Sequence, residues 1–290
     1  MEISSRAEIL RIPLEKTILR LKVWNKGEPA DILGRCIEPP NIKLVNLAIH
    51  NLQNYGALTL NSNKSPTGDL TQLGKIYSTL PLEIKYSRLI IIAYAFGLME
   101  PAIIIAAILT QEKSIFKMHK AIDFYDKKVY YSAATECDFI TSYFAYVEWF
   151  SKFYKEYKFN ASNRIPYAEM DEEKKEAENS KLNYYVVKEV KVLSFDILKR
   201  MKKLNYLKSE ELGFNMKKLN LKSSEDEIFF MKVVFAGAFY GKIMKATYAN
   251  FDLLNKRLQE KEKYFSKDSN NSNQNLEGKV ELENCVFLHS

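Results

Sequence analysis

From Ser87 to Phe116 the chain reads SRLIIIAYAFGLMEPAIIIAAILTQEKSIF, its longest apolar block, with charges at its ends and one break in its middle. A membrane helix needs about 20 uninterrupted apolar residues. Here the run from Leu89 to Met99 is broken by Glu100-Pro101 before an apolar run resumes to Leu109. Proline inside a helix costs about 3 kcal/mol, but in the first turn its missing N–H is harmless. The pattern therefore predicts two helices, the first closed near Gly97 and the second running from Pro101 to about Leu109. Both are apolar nearly all round, as helices enclosed by other helices are. The block reads as a buried helical hairpin and not as a membrane segment.

Before it, Ile12 to Trp24 predicts a helix opening with Pro13, with Leu14, Ile18, Leu21 and Trp24 on one face and Gly27 at its end. A short helix over Ala30–Cys36 follows, and Glu38-Pro39-Pro40-Asn41 then forces an extended turn. Asn41 caps the next helix, where Val45, Ala48, Ile49 and Leu52 recur at helical spacing. Ala57–Leu60 reads as a short strand, NSNKSPTG from Asn61 to Gly68 as turn chemistry, and Asp69–Thr71 as a return strand. Thr71 then caps a helix to Leu80. Helices, a two-stranded hairpin and another helix form the layout of a winged helix.

After the apolar block, Asp138 to Tyr157 carries Phe139, Tyr143, Phe144, Val147, Phe150, Phe153, Tyr154 and Tyr157 at helical spacing. That stripe predicts a core face, with a base-stacking platform as the alternative. The stretch NASNRIPYAEMDEEKKEAENSK is polar enough to predict a surface insertion or mobile loop. From Leu182 the positions Leu182, Val186, Val190, Leu193, Ile197, Met201 and Leu204 follow spacings of four and three, a seam for another helix. The opposite face carries Lys188, Lys191, Lys199, Lys202 and Lys203 with Arg200 beside them, a solvated face or a set of phosphate contacts. IFFMKVVFAGAFYGKIM has Ala236, Gly237 and Ala238 in its middle, where another backbone fits closely. Beyond Leu258 the polar, Asn/Ser-rich sequence predicts a weakly ordered tail.

Composition adds little to this layout. The 290 residues are 47% hydrophobic with a net charge of +7, which suits either an anionic partner such as nucleic acid or a Lys-rich soluble surface. Three scattered cysteines, Cys36, Cys137 and Cys285, argue against both a disulfide framework and a zinc site, pointing to the reducing cytosol or nucleus. No phosphate-cradling GxxxxGK[ST] loop, GxSxG elbow or HExxH helix occurs, and the DEEKKEAE run reads as a solvated face. His50 and Asp69 form an acid–base pair only in imagination, a lone histidine on a helix being structural. Nothing specifies catalysis.

Certain runs resemble a known family. EILRIPLEKTILRLKVWNKGEPADILGRCIEPPN, AIHNLQNYGALT, GDLTQLGKIYSTLPLE, RLIIIAYAFG and AIIIAAIL, in that order, resemble the region after the second motor domain of DEAH-box ATP-dependent RNA helicases. In that family the region is a winged helix followed by a helical-bundle ratchet domain. Leu-Thr-x-Leu-Gly at Leu70–Gly74 with Pro81 is a family hallmark, and Asp138 with Trp149 stands where the family has its Asp-His…Trp helix, Phe139 replacing the histidine. KVVFAGAFYGKIM at Lys232–Met244 resembles the spindle-E branch, Tudor-domain-containing helicases of germline piRNA silencing, and diverges from it after Tyr240.

The resemblance covers about Glu8 to Met244. It implies a mainly α fold: a winged helix with a small β-hairpin over 1–80, a helical-bundle ratchet domain over 81–258 with a polar insertion near 160–181, and the tail over 259–290. The family's nucleotide-binding loop, DEAH box and arginine motif would precede Met1, and its Tudor cage would follow Ser290. Without them the chain alone is expected not to hydrolyse ATP and to hold no cofactor, ATP and Mg belonging to the full-length family. The implied partners are single-stranded RNA, RecA-like motor domains and piRNA-pathway proteins, without a membrane. The implied location is cytoplasmic, in the perinuclear germ granule or nuage. The implied RNA-backbone contacts are Lys152, Lys155, Arg164, Lys199, Arg200, Lys202 and Lys203, in a positioning role. The alternative is a non-catalytic adaptor derived from a helicase. A stand-alone winged-helix DNA reader is weaker, because Asn41–Asn54 offers little beyond Lys43, His50 and Gln53.

Overall fold

In the computed structural model the described residues are 7–60, 66–117, 121–132, 135, 137–154, 170–204 and 225–240. Among them the architecture is mainly α, with eleven α-helices and one 3-10 turn. The chain divides into Met1–Tyr240 and Gly241–Ser290. The second unit, which contains the expected tail, lies outside the described residues, as does 160–169 of the expected insertion.

Helix α1 (Glu15–Trp24) buries Leu14, Ile18 and Leu21 as their spacing predicts. Trp24 is 64% exposed instead, and Leu19 completes the buried face. The helix stops at Asn25, which takes the left-handed conformation, before Gly27 is reached. Helix α2 (Pro29–Gly34) has Pro29 in its first turn, and α3 (Ile42–Asn54) is capped by the Asn41 side chain, which accepts the Lys43 N–H at 2.9 Å. Val45, Ala48, Ile49 and Leu52 of α3 pack with Leu14, Ile18 and Leu19 in a first core.

The expected hairpin is reduced among the described residues to one antiparallel bridge, Leu58 to Leu70. Thr59 N–H donates to Asp69 O at 3.0 Å and Thr71 N–H to Ala57 O at 3.1 Å on either side of it. The return strand has no length to extend, because Thr71 is already the N-cap of α4 (Gln72–Thr79), its hydroxyl accepting the Gly74 N–H at 3.0 Å. The same hydroxyl donates toward Gly56 O at 2.6 Å and Ala57 O at 3.0 Å. Gly74 is required here, since a Cβ would lie 2.3 Å from the Ala57 carbonyl oxygen. The Leu70–Gly74 run is thus a bridge residue, a cap and a close approach in immediate succession.

Helices α5 (Ile84–Ala95) and α6 (Met99–Leu109) are the two halves of the apolar block, separated by Gly97 at φ +70° with Pro101 in the first turn of α6. Met99 and every residue from Ala102 to Ala107 are buried, because α5, α8 (Asp138–Tyr154) and α10 (Tyr184–Lys203) all pack against α6. Full burial of a side chain such as Ile103 is worth about 1.5–3 kcal/mol, which makes α6 the centre of the second core. No helix among the described residues is long and apolar enough to cross a membrane. α4 serves both cores, giving Tyr77 to the first and Ile76 to the second.

Helix α7 (Ala121–Ser132) lies against α8, whose aromatic stripe is core: Tyr143, Phe144, Val147, Phe150 and Tyr154 are buried, leaving no base-stacking platform on those residues. Phe139 packs edge-on to Phe235 of α11 (Glu225–Ala238) at 5.3 Å between centroids. At Gly237, where the small residues predict a close backbone approach, a Cβ would meet only the Ile92 side chain of α5 at 3.7 Å, ordinary contact distance. The connectors before α7 and α10 meet in a bridge from Phe116 to Leu182.

Part of the polar stretch departs from expectation. Residues Met170–Asn179 form helix α9, and Glu173 and Ala177 are buried. A low apolar content predicted a loop, but this helix docks mainly through polar groups.

Candidate nucleic-acid interface

α10 ends in Arg200, Lys202 and Lys203, cations that the negative pole of a helix C-terminus favours. Lys199 and Lys203 are exposed, and Arg200 and Lys202 are half-exposed. Arg200 Nε donates to Asp196 Oδ2 at 2.8 Å, one turn back, and its Nη1 donates to the Thr79 carbonyl at 3.1 Å, at the end of α4. From α1, Lys16 Nζ donates to the Leu80 and Leu82 carbonyls at 3.1 and 3.0 Å. Burial lowers the Lys16 pKa, and the nearby positive charges of Arg20 and Arg200 lower it further, with Glu83 acting the other way. The turn after α4 therefore collects Lys16 and Arg200, with Arg20 one helical turn along α1 from Lys16. Lys16 and Arg20 were missed by sequence reasoning, although their i, i+4 spacing places both on one face of α1.

Lys152 does not stand free. It is bonded to Glu176 of α9 and lies 3.9 Å from Glu148. Burial pushes the Glu176 carboxyl upward, but the hydrogen bond and charge of Lys152, with hydrogen bonds from Ser180 and Asn179, outweigh this and hold it below the usual range. Lys155 and Arg164 lie outside the described residues.

The expected basic face of α10 fails at Lys191, which is 4% exposed. Its Nζ donates to Glu173 Oε1 at 2.7 Å and to the Tyr154 hydroxyl at 3.1 Å, and lies 4.9 Å from the Tyr154 ring centroid. Glu173, at 3% exposed, also accepts from the Tyr154 hydroxyl and, at 3.4 Å, from the Tyr184 hydroxyl. The indole N–H of Trp149 donates to the Glu173 carbonyl at 3.2 Å. A buried charge is tolerated only when paired and hydrogen-bonded, as here. Glu173 is likewise no part of a solvated face. Lys188 Nζ lies 5.9 Å from the Tyr184 ring centroid. The exposed cations of α10 are those at its C-terminal end.

Among the described residues no group of three His, Cys, Asp or Glu could hold a metal ion. Cys36 and Cys137 are free thiols, and burial raises the pKa of Cys137.

No protein-family model matches the chain. It is 37% identical over 155 residues to a probable ATP-dependent RNA helicase spindle-E of Aedes aegypti, a match covering 52% of the chain and 11% of that protein. With the corresponding Drosophila melanogaster protein it shares 46% identity over 103 residues, 34% of the chain and 7% of the relative. With the human ATP-dependent RNA helicase TDRD9 it shares 29% identity over 245 residues, 80% of the chain and 16% of the relative. The chain is thus a distant homologue of the spindle-E and TDRD9 ATP-dependent RNA helicases over a small portion of their length.

Proposed function

We propose that this chain is the accessory RNA-channel region of a spindle-E-type ATP-dependent RNA helicase, with a winged helix over 1–80 and a ratchet-type bundle over 81–258. The two cores that share α4 support that division. The observation that carries the RNA role is the exposed cationic end of α10, Lys199 to Lys203, in a homologue of RNA helicases. Such a cluster holds a single strand by its phosphates and carries no base specificity. ATP hydrolysis with Mg would belong to RecA-like motor domains acting with this region, and the process served would be germline piRNA-mediated transposon silencing in the perinuclear granule.

A salt titration of single-stranded RNA binding tests this. For single strands log K should fall with log salt at about −0.7 per phosphate contact. Binding undetectable at low salt, or insensitive to salt, sinks the RNA role.

A second reading, a protein-interaction adaptor, is favoured by α11. Its outer side leaves Phe229, Phe230 and Val233 exposed, and Phe96 of α5 lies 5.9 Å from Phe230 between centroids. Contiguous exposed apolar surface of this kind marks a protein partner. Replacing Phe229 and Phe230 by Ser should abolish partner capture and leave RNA affinity unchanged if this reading holds.

A further inference from the structure

The turn after α4 joins the two cores and is gripped from both sides. Its carbonyls at Thr79, Leu80 and Leu82 accept from Arg200 of α10 and Lys16 of α1, so the negative pole of α4 draws together cations from opposite cores. Arg20 lies one helical turn beyond Lys16 and is exposed. The described bonds of Arg200 use Nε and Nη1. Its side chain is 42% exposed, and the planar guanidinium has N–H donors beyond those used in these bonds. The carboxylates nearby are already engaged: Asp196 with Arg200 at 2.8 Å and Glu83 with Lys85 at 3.0 Å. Lys16 and Arg200 bond carbonyls of the same short turn and Arg20 follows Lys16 by one helical turn, so an anion at this place meets their combined positive charge. Burial lowers the Lys16 pKa, and the positive charges of Arg20 and Arg200 lower it further.

Resting on the RNA reading above, we infer that Arg20 and Arg200 form a phosphate clasp at the 79–82 turn, where one backbone phosphate of a single strand bridges α1 and α10. Guanidinium groups suit the task because each presents two parallel N–H groups to phosphate oxygens. Lys16 anchors the turn from below, and the two arginines take the anion. The bound strand thereby ties the first core to the second. RNA occupancy fixes the joint as well as the strand.

The test uses the full chain and a fluorescein-labelled oligouridylate about 12 nucleotides long, followed by anisotropy across a salt series. Arg20→Gln is the principal variant, because Arg20 is exposed and should leave folding intact. Arg200→Gln is added, and Arg200→Lys keeps a cation for the Thr79 carbonyl. Arg20→Gln should weaken binding about 10-fold at low salt and reduce the slope by about 0.7, with a larger loss in the double Gln variant. Arg200→Lys should fall between wild type and Arg200→Gln. RNA should slow hydrogen exchange of the amides of Leu80, Leu82, Glu83 and Ile84 in the wild type and fail to do so in Arg20→Gln. Wild-type affinity and slope in both Arg20→Gln and the double variant would overturn the clasp and leave the RNA role standing. A wild-type chain that binds no oligouridylate at low salt would overturn both.

Discussion

On α10 the side chain of Lys191 is sealed against Glu173, Tyr154 and Trp149, whereas Lys199 and Lys203 further along the same helix stand in solvent. The residue type and the helix are the same, and the difference lies in what packs on each end. Over Lys191 lies α9, a polar helix that brings its own carboxylate. Desolvating that pair is costly, and two tyrosine hydroxyls with the ion contact offset the cost. At the other end nothing among the described residues covers the lysines, and Arg200 reaches the end of α4. One end holds the bundle together, and the other is available to a partner.

The largest effect should come from the sealed end. Lys191→Met leaves Glu173 as a buried carboxylate without its cation and should cost about 3–5 kcal/mol, read by urea unfolding. Adding Glu173→Gln should restore most of it, because both charges are then gone. A single-variant loss below about 1 kcal/mol would mean that the pair is hydrated and the contrast between the two ends false.

Raising the pH extends the contrast to the buried tyrosines. Burial pushes Tyr77 from 10.0 up to about 12 against the opposing charge of Arg88. Tyr131, Tyr143 and Tyr146 are raised as well, chiefly by burial. A raised folded pKa gives stability that is complete below the unfolded value and lost as pH rises through the folded one. Between pH 10 and about 12 Tyr77 alone should remove about 1.4 kcal/mol per pH unit. Circular dichroism should show unfolding above pH 10 together with the phenolate absorbance of the buried tyrosines, and that absorbance appearing before unfolding, over and above the share of the exposed tyrosines, would contradict the burial.

Arg200→Ala should cost about 1 kcal/mol, the worth of a hydrogen bond to a helix-terminal carbonyl. Smallest of all, Lys199→Gln and Lys203→Gln should each shift stability by no more than about 0.5 kcal/mol, as exposed sites do. Their thermal midpoints should match the wild type while their RNA affinity falls.

How much of this the sequence disclosed follows from where the physics is local. The α5–α6 break at Gly97 with Pro101 in the first turn of α6, the Asn41 and Thr71 caps and the buried α3 stripe depend on neighbours in sequence, and each was readable. The hairpin was overestimated because turn residues mark a reversal without measuring the pairing beside it, and Thr71 was already committed to α4. Glu173 lay hidden in a run of like polar residues, since only the arrival of Lys191 from another helix makes its burial tolerable. The same limit applies to Lys191, which periodicity assigned to an outer face. Lys16 and Arg20 escaped notice because their relation to Arg200 exists only through the fold.

The central claim is that the exposed end of α10 binds the backbone of a single strand. It is tested most directly by the salt slope of oligouridylate binding for the wild type and for a variant with Lys199, Lys202 and Lys203 changed to Gln. If each lysine meets a phosphate, the slope should be shallower by about 2 in the variant, with the thermal midpoint unchanged. Equal slopes with equal affinities would contradict it.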